Sequence, residues 1–355
     1  MFDQDNITPE WLTSVLRNNG FLEQSTIIKV HITQTKKGVS SLFFFEITPS
    51  NSVVLEKISK NMVLKFNEFS NEGRFYRFIK DITIDLPIPK CYNLKELEQK
   101  EYHCLLLDDL SGTHEDVGNI IPPSKSQCEM AINSLAKIHA TFWDHSDLEK
   151  IVLNENTIAY MLIKSKKKFP RILKRVFEFL DDKISEDRKR IYSIVSSQFP
   201  DIKLNRLNLR KHLTLTHGDA WLGNFLFPKK NNNYPYNKYN QVNIIDWESC
   251  SVGFGPNDLA HMIGLNWNPE RRKSLEHDLV KYYHEELTKN GIQDYSWENC
   301  WHDYRLGIIG ELLTPIIFCY WKLPPRMWQH TLEYSYQSFK DLKCLDIIRE
   351  GSLKY

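Results

Sequence analysis

The chain is 355 residues long, which is enough for one large domain or two ordinary ones. Hydrophobic residues make up 41% and charged residues 26%, a composition typical of a globular protein with a sizeable core. Its 46 basic and 45 acidic side chains leave a formal net charge of +1, which excludes a general attraction to nucleic acid or to an anionic membrane.

The cysteines and the apolar segments bear on compartment. Seven cysteines are scattered along the chain without a CxxC pair, which argues against a disulfide framework or a zinc knuckle and favours reduced, mostly buried thiols. The opening MFDQDNITPEW lacks the apolar core of a signal peptide. Glu311 and Pro315 interrupt LGIIGELLTPIIFCYW, which predicts a buried helix rather than a membrane span. We therefore expect a cytoplasmic protein.

The first third of the chain is predicted to be rich in strands. The segment ITPEWLTSVLRNNG predicts a short helix, with Thr8 as N-cap, Pro9 in the first turn and Gly20 past the end. The apolar runs TIIKVHITQT, SLFFFEIT and NMVLKF predict an antiparallel sheet. Next, NEGRFYRFIKD has apolar residues at helical spacing, and YHCLLLDDLSG predicts a strand that ends in two carboxylates.

After Gly112 the pattern becomes mainly helical. SQCEMAINSLAKIHATFWDHS predicts a long amphipathic helix, and residues 150–212 are mostly helical, with the basic run KSKKK as a solvated face. Two short strands, LTLTH and NFLF, precede the segment PKKNNNYPYNKYNQ, which predicts a hairpin loop. Another strand, VNIIDWE, is followed by helices rich in Trp and Tyr. This order predicts an α+β protein of two lobes.

Three polar residues lie at the ends of short apolar strands: Asp219 and Asn224 in HGDAWLGN, and Asp246 in IIDWE. Phosphoryl transfer from ATP needs positioned magnesium, neutralised phosphate charge and an oriented hydroxyl. Magnesium takes oxygen ligands, so Asn224 and Asp246 fit as its ligands. Asp219 fits as the carboxylate that orients the acceptor hydroxyl and takes its proton. Trp221 and Gly223 are interpreted as spacers.

Lys65 lies inside the otherwise apolar strand NMVLKF. A kinase needs a cation for the nucleotide phosphates, and a lysine on the same face as Val63 needs a partner if it points inward. Glu72, which opens the next helix, is the candidate partner. The alternative is an edge-strand lysine that discourages aggregation.

Two further segments are candidates for nucleotide contacts. TKKGVSSLFFF places Gly38, Ser40 and Ser41 between the first two strands, where glycine permits close approach and serine adds hydroxyl donors; a plain hairpin turn is the alternative. CLLLDDL resembles a linker between lobes, with backbone groups near Leu106 and Leu107 available to an adenine edge. A buried edge strand is equally consistent with that segment.

Together, LTHGDAWLGNFLF, VNIIDWESCSVGFGPNDLAHMIG and LLLDDL resemble the aminoglycoside phosphotransferase/choline kinase superfamily, over roughly residues 30 to 330. LAKIHATFW with HGDAWLGN resembles its ecdysteroid-kinase-like branch most closely. The resemblance implies a two-lobed fold similar to protein kinases, with a small β-rich lobe and a larger helical lobe. We assign residues 1–107 to an N-terminal nucleotide-binding lobe and residues 108–355 to a helical catalytic and substrate lobe.

The resemblance also implies roles for particular residues, with ATP and Mg²⁺ as cofactors. Asp219 matches the catalytic aspartate, and Asn224 and Asp246 match the magnesium ligands. Lys65 and Glu72 match the phosphate-contacting lysine and its glutamate partner.

Other matched positions are expected to be structural. His217 would support the catalytic loop, and His139 is interpreted as a satisfied core histidine. Asp258, in GFGPNDLA, is expected to cap the next helix or to brace the catalytic loop.

The sequence departs from protein kinases after Asp246. Trp247 and Glu248 follow it, and neither a long activation loop nor an A-P-E segment is present. These features favour an ATP-dependent kinase whose partner is a small hydroxylated substrate rather than a peptide, nucleic acid or membrane. The alternatives are a catalytically silent nucleotide- or ligand-binding protein and a protein kinase.

The acceptor is less well defined by the sequence. Several aromatic residues of the helical lobe could pack a ring system or, with the carboxylate of Glu311, hold a cation. A Trp-rich core is at least as good an interpretation. These residues are Trp267, Trp301, Tyr304, Tyr320 and Trp321. A hydroxylated ligand with substantial apolar surface, such as a sterol-like alcohol, is preferred, while choline-like and sugar-like acceptors stay open.

Overall fold

A computed structural model describes residues 4–38, 40–68, 71–80, 82, 84–97, 102–117, 123–148, 155–229 and 241–350. The chain forms two compact units, each built from two stretches of sequence. Unit 1 comprises Met1–Val117 and Phe225–Glu248, and unit 2 comprises Gly118–Asn224 and Ser249–Tyr355. The division predicted after residue 107 used two continuous stretches, and it stays a prediction.

Unit 1 is built on a five-stranded antiparallel sheet with strand order β1-β2-β3-β5-β4. The elements are α1 (Pro9–Asn18), β1 (Ile27–Lys37), β2 (Ser41–Pro49), β3 (Asn61–Glu68), α2 (Asn71–Ile79), β4 (Cys91–Leu97) and β5 (Tyr102–Asp108). Strands β1, β2, β3 and β5 lie where the apolar runs predicted them. The sequence interpretation missed β4, because its pattern CYNLKEL mixes polar and apolar residues.

The core of unit 1 follows from strand alternation. Phe43, Phe45 and Ile47 of β2 are buried, and they belong to one apolar cluster with Leu12 and Leu16 of α1. Helix α1 begins as predicted, because the Thr8 hydroxyl accepts a hydrogen bond from the backbone N–H of Trp11 at 3.2 Å.

A second, three-stranded sheet of unit 1 joins its two stretches of sequence. Its order is β6-β8-β9, formed by β6 (His114–Asp116), β8 (Phe225–Pro228) and β9 (Asn243–Ile244). Pairing of β6 with β8 places residues 225–248 in the same unit as the N-terminal sheet. The loop predicted between β8 and β9 falls mostly on residues 230–240, outside the described residues.

Unit 2 is mainly helical, with one small two-stranded sheet of β7 (Thr214–Thr216) and β10 (Ser251–Gly253). Its helices are α3 (Lys125–Thr141), α4 (Glu155–Leu180), α5 (Glu186–Asn208), α6 (Pro256–Leu259), α7 (Pro269–Lys289), α8 (Trp297–Glu311), α9 (Thr314–Tyr320), α10 (Gln329–Asp341) and α11 (Cys344–Glu350). A π-helical segment, Ala260–Leu265, directly follows α6.

Several predicted features of unit 2 are found in place. The long helix predicted over SQCEMAINSLAKIHATFWDHS is α3, and a capping box between Ser124 and Gln127 opens it. The lysines of KSKKK are exposed on α4. The buried helix expected over LGIIGELLTPIIFCYW is two helices, α8 and α9, because the chain turns between Glu311 and Thr314. In the described part of the chain, no helix has both the length and the apolar character needed to cross a membrane.

Candidate functional site

Unit 1 brings together Lys65, Glu72 and Asp246. Lys65 Nζ lies 2.7 Å from Glu72 Oε2 and 2.7 Å from Asp246 Oδ1. Lys65 comes from β3, Glu72 from the first turn of α2, and Asp246 from the segment after β9. The Lys65 side chain is 11% exposed and that of Glu72 is 1% exposed, whereas that of Asp246 is 46% exposed. A buried lysine thus links a buried carboxylate to an accessible one.

The charges of this set depend on one another. Burial alone would lower the pKa of Lys65, but Glu72 and Asp246 outweigh it and raise that pKa above its usual range. Burial raises the pKa of Glu72, which Lys65 and the backbone N–H of Trp247 partly offset. Lys65 is therefore a fixed cation at neutral pH, whose second partner, Asp246, is open to ligands.

The turn that carries Asp246 is held by Trp247. Asp246 has a positive φ of 66°, a conformation uncommon for a residue with a side chain. The Trp247 indole is fully buried, stacks on Phe75 at 4.2 Å between ring centroids, and donates from Nε1 to the backbone oxygen of Ile244 at 3.1 Å. The sequence interpretation noted Trp247 only as a departure from protein kinases and missed this role.

Glu248 adds a third carboxylate to those of Glu72 and Asp246. Glu72, Asp246 and Glu248 each offer an oxygen, and these oxygens lie within 4.8 Å of one another. Burial raises the pKa of Glu248 to about 7, with further increases from Glu72 and Asp246 that Lys65 opposes. Hard oxygen donors of this kind suit Mg²⁺, and the exposed carboxylate of Asp246 gives it access. The sequence could have indicated Glu248, because it is a second acidic residue two positions after Asp246.

Gly38, Ser40 and Ser41 lie at the turn between β1 and β2. The backbone N–H of Gly38 donates to the carbonyl oxygen of Ser40 at 3.1 Å, and Ser41 begins β2. A Cβ atom added at Gly38 would meet no atom within 4 Å, so packing does not require glycine there. The phosphate-contacting role of this turn stays a prediction.

The exposed strand edge expected at Leu106 and Leu107 is not found. Both residues are buried in β5, an inner strand; Leu106 is in register with Leu64 of β3 and with Asn93 of β4. Backbone groups of an inner antiparallel strand pair with the neighbouring strands, so they are not available to an adenine edge. The assignment of Leu106 and Leu107 to the nucleotide therefore loses its structural basis.

Unit 2 brings together Asp219 and Asn224. The Asn224 side-chain Nδ2 donates to the backbone oxygen of Asp219 at 2.8 Å and to its carboxylate Oδ2 at 3.1 Å. Because Nδ2 donates to Asp219, the amide oxygen of Asn224 is the atom that could bind a cation. The short helical turn Leu222–Asn224 sets this arrangement.

Trp221 and Gly223, interpreted above as spacers, have a packing relationship. A Cβ atom added at Gly223 would lie 2.0 Å from the Trp221 indole ring. Glycine at position 223 therefore makes room for the indole inside the turn that carries Asp219 and Asn224.

Asp258 braces the start of the loop that carries Asp219. Its carboxylate accepts hydrogen bonds from the backbone N–H groups of His217 at 2.7 Å and Gly218 at 2.9 Å. His139 Nε2 lies 3.1 Å from the same carboxylate, and its Nδ1 lies 2.7 Å from the Tyr283 hydroxyl. This geometry matches the bracing role expected for Asp258 and the satisfied core position expected for His139.

His261 is a site residue that the sequence interpretation missed. Its Nε2 lies 3.3 Å from Asp219 Oδ1, and its Nδ1 lies 3.1 Å from Glu311 Oε1. Burial would lower its pKa, but the carboxylates of Glu311 and Asp219 outweigh burial and raise it to about 10. His261 is thus a nearly buried cation beside Asp219. Its place three residues after Asp258, in the segment GFGPNDLAHMIG, was the only signal in the sequence.

Most of the aromatic residues proposed to bind the acceptor are buried or contact other side chains of unit 2. Trp267 and Tyr304 are buried, and the Tyr304 hydroxyl donates to Glu276 at 2.8 Å, as the core interpretation implied. Trp301 stacks on Tyr304. The Tyr320 hydroxyl accepts from Arg175, and Trp321 is 63% exposed.

Comparison with known proteins gives a family and a fold. A model of the ecdysteroid kinase-like family matches residues 24–293 of the chain. No curated protein gives a significant match.

Among solved structures, a candidate aminoglycoside phosphotransferase of Ralstonia eutropha JMP134 is similar over 97% of this chain and 99% of that chain, at 13% identity and a TM-score of 0.57. A choline kinase of Streptococcus pneumoniae is similar over 89% of this chain and 94% of that chain, at 11% identity and a TM-score of 0.46. The first likeness confirms the predicted α+β, two-lobed, protein-kinase-like fold class.

Proposed function

Because the chain belongs to the ecdysteroid kinase-like family, we propose that it transfers the γ-phosphoryl group of ATP to a hydroxyl group of a small molecule. The observation that carries the proposal is that each unit assembles one half of the required chemistry. In unit 1, Lys65 lies within hydrogen-bonding distance of both Glu72 and Asp246, and in unit 2 the Asn224 side chain donates to Asp219.

The unit 1 residues fit the nucleotide end of the reaction. Lys65 is the cation for the phosphates, and its buried partner Glu72 keeps it charged and fixed. Asp246, with Glu248 near it, offers oxygen ligands for magnesium. We also propose the amide oxygen of Asn224, in unit 2, as a magnesium ligand. When bound, Mg²⁺ supplies charge neutralisation and orientation of the phosphate oxygens.

Asp219 fits the acceptor end of the reaction. The acceptor oxygen forms a bond to the γ-phosphorus, the bond between that phosphorus and the β–γ bridging oxygen breaks, and ADP leaves with that electron pair. The hydroxyl proton passes to the Asp219 carboxylate. The carboxylate is 41% exposed and is held on both oxygens, by Asn224 and by His261, so it can take this proton in a fixed orientation.

A small acceptor agrees with the segment after Asp246. The chain passes directly through the turn Trp247–Ser249 and strand β10 to helix α6, which begins at Pro256. This leaves no space for the long activation segment with which a protein kinase orders a peptide substrate.

The test is phosphoryl transfer from Mg²⁺–ATP to a panel of alcohols that includes sterols, sugars and amino alcohols, followed by mass spectrometry of the products. We expect a phosphate ester from at least one class, and its loss in Asp219→Asn. Asp187→Asn, an exposed aspartate of α5, is the matched control and should retain activity. Equal activity of Asp219→Asn would contradict the role of Asp219. Binding of ATP without transfer to any alcohol would favour a silent nucleotide-binding protein.

A further inference from the structure

The His261 imidazole joins two carboxylates that come from distant parts of unit 2. Nε2 faces Asp219 Oδ1 at 3.3 Å, and Nδ1 faces Glu311 Oε1 at 3.1 Å. The other oxygen of each carboxylate is also engaged: Asn224 donates to Asp219 Oδ2, and the Thr314 hydroxyl donates to Glu311 Oε2. The histidine is therefore one link in a chain of ion-pair and hydrogen-bond contacts that ends on Asp219.

The backbone explains how His261 reaches Asp219. Residues Ala260–Leu265 form a π-helical segment, a wider turn that is rare and is frequently found at functional sites. The carbonyl oxygen of His261 accepts a hydrogen bond from the Asn266 side chain at 2.8 Å, which satisfies that group locally. The π-helical segment thus carries the polar side chain of His261, and Asn266 satisfies the backbone carbonyl of the same residue. A packing defect alone would require neither of these features.

We propose that His261 is a positioning residue for the phosphotransfer reaction, anchored on Glu311 and holding the carboxylate of Asp219 in the orientation that receives the acceptor proton. This inference rests on the proposed function. A carboxylate has about four lone-pair directions, so contacts from His261 and Asn224 restrict its rotation and still leave acceptor capacity for the substrate hydroxyl.

The electrostatics support the same role. Both ring nitrogens face a carboxylate, so the ring must be protonated to donate to both, and its raised pKa of about 10 agrees with this state at neutral pH. The charged groups around the ring are Asp219 and Glu311, and Lys203 of α5 interacts with Glu311.

The first experiment compares His261→Asn with wild type in the alcohol-phosphorylation assay. The shorter amide cannot reach both carboxylates, so we expect kcat to fall about 10- to 100-fold. KM for ATP should change by less than about twofold, because the residues proposed for the nucleotide phosphates lie in unit 1. His212→Asn is the matched control: His212 is also a buried histidine of unit 2 beside an aspartate, Asp294, and it should keep wild-type kcat.

The second experiment uses Glu311→Gln, which keeps a side chain of the same size and removes the anchoring charge. The pKa of His261 should fall, so the alkaline loss of activity should move toward neutral pH by about one unit or more. The Glu311→Gln variant also tests the positioning role of His261 if His261→Asn does not fold. Identical pH profiles for Glu311→Gln and wild type, or equal kcat in His261→Asn and His212→Asn, would overturn the positioning role alone. A wild-type protein that transfers phosphate to no acceptor and hydrolyses no ATP would overturn the proposed function, and the inference with it.

Discussion

Trp247 stacks on Phe75, with ring planes 12° apart, and this contact joins the turn that carries Asp246 to the helix that carries Glu72. The backbone N–H of Trp247 also contributes a hydrogen bond to Glu72. Two of the three carboxylates around Lys65 are therefore positioned through one buried indole. This relationship makes Trp247 the point at which packing and charge placement in unit 1 are coupled.

Replacing Trp247 by leucine should loosen the Asp246 turn. We expect a loss of about 3–5 kcal/mol in the free energy of unfolding, because a fully buried indole leaves a cavity that leucine only partly fills. Urea denaturation followed by circular dichroism measures this. Trp321→Leu, at a position 63% exposed, is the control and should change stability by less than about 0.5 kcal/mol. Equal effects of the two changes would contradict the role given to Trp247.

Lys65 and Glu72 should behave as a coupled buried pair. Lys65→Met leaves the buried carboxylate of Glu72 without its cation, so we expect a loss of about 3–5 kcal/mol. The double variant Lys65→Met, Glu72→Gln should recover at least about 1 kcal/mol relative to the sum of the single changes. Strict additivity in this double-mutant cycle would show that the pair is not coupled. The exposed pair Lys57–Glu23 provides the comparison, and its cycle should give less than about 1 kcal/mol.

Gly218 and Gly20 form a matched pair that tests the packing of the loop that carries Asp219. Their φ angles are +79° and +77°, so alanine at either position carries a similar backbone penalty of about 1–2 kcal/mol. A Cβ atom at Gly218 would also lie 2.2 Å from the backbone oxygen of Ser249, whereas at Gly20 it would meet nothing within 4 Å. Gly218→Ala should therefore be less stable than Gly20→Ala by about 1–3 kcal/mol in thermal unfolding. Equal stabilities of Gly218→Ala and Gly20→Ala would contradict this prediction, because they would show that the backbone around Gly218 moves to accommodate the added Cβ atom.

Asp258 should make the stability of the protein depend on acidic pH. Burial raises its pKa, but the hydrogen bond and charge of His139, together with His217 and the N–H of Gly218, outweigh burial and lower it below 3.8. Because the folded state favours the ionised form, this stabilisation is present above pH 3.8 and is lost as pH falls through the lower value.

The variant Asp258→Asn tests this pH dependence. It should lose about 2–4 kcal/mol at pH 7, since its amide cannot accept all of these bonds. Its difference in stability from wild type should narrow as pH falls from 3.8 toward the lower pKa at which folded wild-type Asp258 loses its charge. Asp187→Asn is the exposed control. A difference that is constant from pH 7 to pH 3 would contradict the assignment.

The sequence was informative where chemistry and local pattern coincide. Asp219 and Asn224 are five residues apart on one turn, so their contact is a local event. Lys65 was an unusual residue in an apolar strand, and Glu72 was the acid that opens the next helix. Both inferences needed only strand alternation and a short chain segment.

The sequence was uninformative where long-range contacts decide the outcome. Leu106 and Leu107 became inner-strand residues because β4 pairs with β5, and the mixed pattern of β4 did not predict a strand. His261 reaches Asp219 through a π-helical turn and meets Glu311, fifty residues further along the chain. Helix widening and the packing of one helix on another leave no periodic signal in the amino-acid pattern.

Unit 1 is interrupted in sequence by residues 118–224 of unit 2, and its last segment ends at Glu248. During synthesis from the N-terminus, a nascent chain that has just completed β5 lacks β8, β9, Asp246 and Trp247. Lys65 and Glu72 would then meet without the third member of their set. Unit 1 can therefore reach its final structure only after Glu248 has been synthesised, later than all of the residues 118–224 that interrupt it.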